Sequence, residues 1–277
     1  MTDQRWVRRR FRVPDPSIES FTAELWLDSP LGLELRSGGV DVYYSEEDLP
    51  ALSIAEPDVE LEAEDIVVAE DWLAGWRSSA APFALGERFW IDPREESSLD
   101  GEPAPGRIAL HLPARRAFGT GSHPTTSLAV SWLEEMSMSG RRVLDLGAGS
   151  GILAFVCSRL GARTVVGIER ELESALLAGA NRRLNGVDVA VVAGTTAPLG
   201  AACFDLIVAN LLSAHLLPEL AGLAARLRPD GDFVYSGALT VERRELMARF
   251  RAVGLGPVGE KIDGEWSAWR LRAEAGA

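Results

Sequence analysis

The stretch Arg142-Val143-Leu144-Asp145-Leu146-Gly147-Ala148-Gly149-Ser150-Gly151-Ile152 decides how this chain folds. Val143 to Leu146 is a short apolar run followed at once by glycines, the pattern of a buried parallel strand ending in a tight loop. The residues that follow, Ile152-Leu-Ala-Phe-Val-Cys-Ser-Arg-Leu160, predict a helix. Strand, glycine loop and helix start make one crossover unit of an α/β sheet. Glycines at 147, 149 and 151 permit positive φ and let backbone N–H groups approach a ligand with no Cβ in the way.

The spacing narrows the ligand. In the dinucleotide fingerprint the third glycine stands one place later, where this chain has Ile152, so a nicotinamide dinucleotide is disfavoured. With Asp145 at the strand end, the pattern Asp-x-Gly-x-Gly-x-Gly resembles motif I of the class I S-adenosylmethionine-dependent methyltransferases. That resemblance implies a loop holding the methionine part of the cofactor. A second acid agrees: Thr164-Val-Val-Gly-Ile168 reads as another buried strand, and Glu169 stands at its C-terminal end. This is about the spacing at which nucleotide-binding folds set an acid on ribose hydroxyls, and a carboxylate accepts two hydrogen bonds from a vicinal diol. The alternative is an ordinary surface acid opening the helix Leu172 to Leu184, where the helix dipole favours negative charge.

Composition bounds the rest. A chain of 277 residues with 47% hydrophobic and 25% charged residues has the size for two domains and the make-up of a soluble protein. No apolar run of about 18 residues occurs, so no membrane span is expected. The first ten residues lack an apolar signal core, which makes a cytoplasmic location the expectation. The net charge of −13 argues against direct nucleic-acid binding and favours a cationic partner. Cys157 and Cys203 have no histidine at ligand spacing and read as core thiols, with no metal site. Lys261 is the only lysine among 28 basic residues, and no function is read from that.

Residues 5 to 71 read as a small α/β domain. Trp6 to Val13 predicts a strand, Pro16 to Trp26 a helix, and Leu31 to Leu35 with Val40 to Tyr44 a strand pair across a Ser-Gly-Gly turn. Val59 to Ala63 alternates apolar and acidic residues, which predicts a strand with one exposed negative face. From Ser37 to Trp76 there is no Lys or Arg but twelve acids. That run is either a solvated face or a docking surface for a basic protein. The arginines at 5, 8, 9, 10 and 12 read as an exposed strand edge. Glu70 to Arg77 predicts a short helix, Phe83 to Ile91 and Arg107 to Leu112 strands, and Pro93 to Gly106 a loop near a domain boundary.

Ala117-Phe-Gly-Thr-Gly-Ser-His-Pro-Thr-Thr-Ser127 leads into a helix from about Thr125 to Met136 and offers N–H donors at its start. His123 there reads as a structural histidine. Beyond Glu169 strands are expected at 187–192, 204–209, 232–235 and 256–261, with helices at 214–227 and 241–253. Glu265 to Leu271 follows with no helix between and should enter antiparallel, completing a doubly wound sheet. Asp205-Leu-Ile-Val-Ala-Asn210 ends in Asn210, which the rule for open α/β sheets sets beside the glycine loop. Its amide oxygen could accept from an attacking amine; alternatively it caps the next helix.

Together these motifs resemble one family, the bacterial methyltransferases of the PrmA type, which trimethylate the eleventh protein of the large ribosomal subunit. The pieces are Phe118-Gly-Thr-Gly-Ser-His-Pro-Thr-Thr126, Leu144-Asp-Leu-Gly-Ala-Gly-Ser-Gly151, Asn181, Asn185, Val208-Ala-Asn-Leu211, Ser236-Gly237 and Gly264-Glu-Trp266, with Asp71-Trp-Leu-Ala-Gly-Trp76 upstream. Glu169 stands where the family more usually has Asp, and Arg115-Arg116 where it usually has Pro-Gly. The resemblance implies a ferredoxin-like α+β recognition domain over residues 1–75 and a linker region with short strands over 76–116. It also implies a Rossmann-like class I methyltransferase domain over 117–277, its seven-stranded sheet mostly parallel with the last strand antiparallel. By the same resemblance Phe118, Thr120, Thr126, Asp145, Gly147, Gly149, Gly151, Glu169 and Asn210 contact S-adenosylmethionine, with Asn210 also catalytic.

A sulfonium methyl donor is already activated, so the protein mainly positions two partners. The harder task is supplying a neutral amine: a lysine of pKa about 10.4 is uncharged in only about one molecule in a few thousand at neutral pH. The expected function is therefore an S-adenosylmethionine-dependent protein N-methyltransferase acting on a large-subunit ribosomal protein. The alternatives are a methyltransferase for another basic protein or small amine, and a non-catalytic cofactor-binding protein.

Overall fold

The computed structural model describes residues 5–14, 17, 18, 21, 22, 25, 30, 32–46, 49–51, 57–68, 81–94, 105–113 and 121–273. The chain divides into two compact units, residues 1–79 and 80–277. The helix expected at 70–77, and Phe118 and Thr120 of the glycine-threonine loop, lie outside the described residues.

The first unit holds β1 (Arg5–Arg12), β2 (Gly32–Arg36), β3 (Gly39–Ser45) and β4 (Glu60–Val68). They form an antiparallel sheet in the order β2-β3-β1-β4. Gly38 turns the β2–β3 hairpin with φ +78°, as the Ser-Gly-Gly run predicts. Phe11, Val13, Val40, Val42, Tyr44 and Val59 bury one face together with Phe21 and Leu25 from a helical stretch. Each such side chain stabilises the fold by roughly 1.5–3 kcal/mol.

The arginines of β1 correct the expectation of an exposed edge, because β1 lies between β3 and β4. The strands either side carry the acids that answer them. Arg8 pairs with Asp65 at 2.9 Å, Arg9 with Glu64 at 2.7 Å and Arg10 with Asp41 at 2.8 Å, while Arg12 meets Glu60. Arg36 holds Asp41 at 3.0 Å and also pairs with Glu62. The exposed face of β4 is thus a mixed ion-pair ladder and no bare negative surface. Burial alone would raise the Asp41 carboxyl, but Arg10 and then Arg36 together hold it below the usual carboxylate range.

In the second unit β5 (Phe83–Leu85), β6 (Phe89–Asp92) and β7 (Ile108–His111) make a small sheet. Residues 83–91, expected as one strand, are two. Gly86 turns the chain at φ +58°, and Glu134 accepts hydrogen bonds from the N–H groups of Glu87 at 2.9 Å and Arg88 at 2.8 Å. A carboxylate far along the chain thus satisfies the turn.

Then come α1 (Pro124–Glu134), β8 (Arg142–Leu146), α2 (Ile152–Arg159), β9 (Thr164–Glu169), α3 (Leu172–Asn185), β10 (Ala190–Ala193) and β11 (Phe204–Asn210). The chain continues through α4 (Ser213–Leu216), α5 (Leu220–Arg226), β12 (Leu227–Leu239), α6 (Arg243–Ala252), β13 (Leu255–Asp263) and β14 (Trp266–Ala273). The helix expected over 214–227 is broken between α4 and α5, where Pro218 removes an N–H donor. The sheet runs β10-β9-β8-β11-β12-β14-β13, with β8 to β12 parallel to one another and β14 antiparallel to both β12 and β13. This is the expected mostly parallel α/β sheet with its last strand reversed.

Strand parity fixes what each residue of the opening stretch does. Leu144 and Leu146 enter the core with Ile207, Phe233, Tyr235, Phe250 and Trp269. Asp145 points the other way, toward α2.

Candidate active site

The chain leaves β8 toward β9 on one side, while β11 pairs with β8 on the other. The crevice beyond the C-terminal ends of these strands is therefore the topological switch point at which open α/β sheets bind ligands.

The loop after β8 is held open by three left-handed glycines: φ is +71° at Gly147, +51° at Gly149 and +90° at Gly151. The N–H groups of Gly147 and Ala148 both donate to the Ile168 carbonyl, at 2.9 and 3.1 Å, which ties the loop to the end of β9. Close packing also demands glycine here. A Cβ on Gly147 would lie 2.5 Å from Leu211, and one on Gly151 2.4 Å from the Phe155 ring.

Asp145 is 1% exposed. Its Oδ2 accepts from the Ala154 N–H at 2.9 Å, in the first turn of α2, while Oδ1 is buried with no hydrogen-bond partner among the described residues. Burial pushes this carboxyl up to about 7; the Ala154 N–H acts against that and the Glu169 charge adds to it. Cys157 lies wholly buried on the same helix. Burial first, and then the Asp145 charge, hold its thiol well above its usual value, so it is an inert core thiol. Glu169 turns toward the glycines: Oε2 accepts from Gly149 N–H at 2.9 Å and Oε1 from Glu171 N–H at 3.1 Å. The acid and the loop thus share one crevice.

The second half of the site forms where β11 meets α1. Asn210 donates through Nδ2 to Thr126 Oγ1 at 3.3 Å, leaving Oδ1 without a partner among the described residues. It does not cap the next helix, whose cap position is Leu212. Thr126 is 1% exposed and sits in the first turn of α1. Leu211, the residue after Asn210, packs on Gly147, which joins the two halves. Of the residues singled out from sequence, Asp145, Gly147, Gly149, Gly151 and Glu169 meet at the loop, and Thr126 and Asn210 meet beside it.

His123 is structural, as expected. It caps α1, its Nδ1 accepting from Thr125 N–H at 3.3 Å, and it meets Trp266 edge-on at 5.0 Å between ring centres. Burial lowers its pKa, which keeps the ring neutral and Nδ1 able to accept. Asn181 and Asn185, noted in the sequence without a role, anchor α3, the first to the glycine loop and the second to β7. Asn181 Nδ2 donates to Ser150 O at 3.0 Å, and Asn185 both accepts from and donates to the His111 backbone at 2.7 Å. Their signal in the sequence is a pair of amides on the buried face of a helix.

Residues 42–274 match the family model described as "Ribosomal protein L11 methyltransferase (PrmA)". Ribosomal protein L11 methyltransferase of Geobacter sulfurreducens is 39% identical over 207 residues, covering 74% of this chain and 67% of the relative. That of Ralstonia pickettii is 39% identical over 184 residues, covering 66% of this chain and 60% of the relative, so the chain spans about two thirds of the length of the curated relatives it matches. A crystal structure of ribosomal protein L11 methylase from Lactobacillus delbrueckii subsp. bulgaricus superposes with a TM-score of 0.63 at 27% identity, covering 70% of this chain and 98% of that one.

Proposed function

The chain belongs to the ribosomal protein L11 methyltransferase (PrmA) family, and from that premise we propose that it transfers methyl groups from S-adenosylmethionine to amino groups of a large-subunit ribosomal protein. The observation that carries this reading is the joined crevice: a left-handed glycine loop, a carboxylate reaching it from β9, and the Asn210 amide held by Thr126 across Leu211. These residues suit the donor. Glu169 would exchange its bond to Gly149 for the ribose hydroxyls, which would free the Gly149 N–H for the methionine end, while the buried Asp145 holds the first turn of α2 behind the loop. Phe118 and Thr120 are assigned to the same cofactor by family resemblance.

Bound there, S-adenosylmethionine supplies a methyl group on a sulfonium, activated for in-line displacement. The protein's own work is orientation and dehydration. With one Nδ2 hydrogen given to Thr126, the amide of Asn210 is oriented and its Oδ1 is free to accept a hydrogen bond from the incoming amine, whose lone pair is then directed at the donor. A charged ammonium has no lone pair to offer, and a crevice that excludes water favours the neutral amine.

Recognition is assigned to residues 1–75, joined through 76–116 to the catalytic residues 117–277. The antiparallel order β2-β3-β1-β4, with helical residues between β1 and β2, supports a ferredoxin-like reading of that first domain. The cytoplasm is where such an enzyme would meet newly made ribosomal protein.

The test is to incubate the purified chain with methyl-tritiated S-adenosylmethionine and recombinant ribosomal protein L11, and to follow label into protein. Asn210→Ala should keep binding of S-adenosylhomocysteine while transfer falls roughly ten- to hundredfold, the loss of one oriented hydrogen bond to the reacting amine. Absence of label with the native chain would overturn the function. Undiminished transfer in the variant would remove Asn210 from it.

A further inference from the structure

Asn210 is useful to the proposed reaction only if its amide is held one way round, so what holds Thr126 matters as much as Thr126 itself. Ser236 lies opposite Asn210 in the parallel pairing of β11 with β12. It is 0% exposed, so it touches no substrate. Its Oγ donates to the Thr125 carbonyl at 2.8 Å, which anchors the first turn of α1 beside the Thr126 hydroxyl that Asn210 uses. Its backbone carbonyl accepts from Leu211 N–H at 3.1 Å, fixing the chain immediately after Asn210. Gly237 next to it has φ +101°, and a Cβ there would lie 2.6 Å from Leu211 O, so the turn after Asn210 rests directly on the end of β12. One residue thereby holds the chain neighbour of each partner of the Thr126–Asn210 hydrogen bond, Thr125 through its side chain and Leu211 through its backbone.

We infer that Ser236 is a positioning residue for methyl transfer, acting through Thr125 and Thr126 to set the direction in which Asn210 presents its amide oxygen. This rests on the assignment of Asn210 above. It requires no contact between Ser236 and either ligand, and it separates Ser236 from the loop residues: cofactor binding should be nearly insensitive to it.

A double-mutant cycle tests the inference with tritiated S-adenosylmethionine and ribosomal protein L11. Ser236→Ala should lower kcat about tenfold while KM for L11 and the calorimetric Kd for S-adenosylhomocysteine change less than twofold. In the Asn210→Ala background the same substitution should cost less than twofold, because the group it orients is gone. A role confined to stability would give the same factor in both backgrounds, and that result, or an unchanged kcat in Ser236→Ala, overturns the inference. Should Ser236→Ala fail to fold, Ser236→Cys, of similar volume but with a weak S–H donor, enters the same cycle with at least a threefold loss expected and the same criterion. If Asn210→Ala itself transfers methyl at the native rate, the Asn210 assignment falls and carries this inference with it. Loss in Asn210→Ala with none in Ser236→Ala overturns the inference alone.

Discussion

Replacing Asp145 with asparagine should stabilise the protein at high pH and leave it unchanged at low pH. Asparagine keeps the shape of the side chain, and its carbonyl can still accept from Ala154 N–H, as Asp145 Oδ2 does at 2.9 Å. What it removes is a charge that is 1% exposed, with one oxygen unsatisfied and Glu169 adding repulsion. In the folded protein the carboxyl is pushed from 3.8 to about 7. Between those values the folded chain keeps a proton that the unfolded chain has released, so the native protein loses stability as pH rises through that window. The contribution is whole below about pH 4 and gone a little above pH 7. About 3 pH units at 1.36 kcal/mol each make roughly 4 kcal/mol, an upper figure. Urea denaturation of both proteins from pH 4.5 to 8.5 measures this directly. The stability of Asp145→Asn relative to the native chain should climb across the range and level off near pH 8. A difference that stays flat, or a variant that is less stable at pH 8, would refute the burial argument.

Gly151→Ala should cost about 1–3 kcal/mol, since its φ is +90° and the added methyl would meet the Phe155 ring at 2.4 Å; calorimetry should also show S-adenosylhomocysteine binding weakened at least tenfold. Asp232→Asn should cost about 1.5–3 kcal/mol in urea denaturation at pH 7, because Arg141 at 2.8 Å, Arg270 at 2.9 Å and Arg272 at 3.1 Å share this buried carboxylate. Burial would raise that carboxyl, but Arg270 and Arg141 outweigh it and hold it low, so its contribution is present above about pH 4 and fades as pH falls through the folded value.

The part of the fold legible in the sequence is the part governed by local rules. Val143 to Leu146 had to be a buried strand because nothing in it is polar but Asp145, and the glycines after it had to be a left-handed loop because the chain turns at each of them. The reversed β14 followed from a missing crossover helix. Asn210 was legible because it stands where a strand of known direction stops. What escaped was set by partners distant in the chain. The turn at 86–88 is satisfied by Glu134, far along the chain, so Gly86-Glu87-Arg88 inside the stretch 83–91 reads as part of one strand when it divides two. The central position of β1 depends on which strands flank it, and arginine-rich alternation reads the same at an edge as beside acidic neighbours. Ser236 was visible as a residue, but its role needed Thr125 brought across the sheet.

The strand order carries a consequence for assembly. β13 precedes β14 in the chain yet reaches the rest of the sheet only through it, since β14 is inserted between β12 and β13. Completion of the large sheet therefore waits on residues 266–273, and synthesis order cannot be building order at this margin. A chain halted at Asp263 would hold an unmatched strand and leave β12, the strand that carries Ser236, with a raw border open to pairing with another molecule.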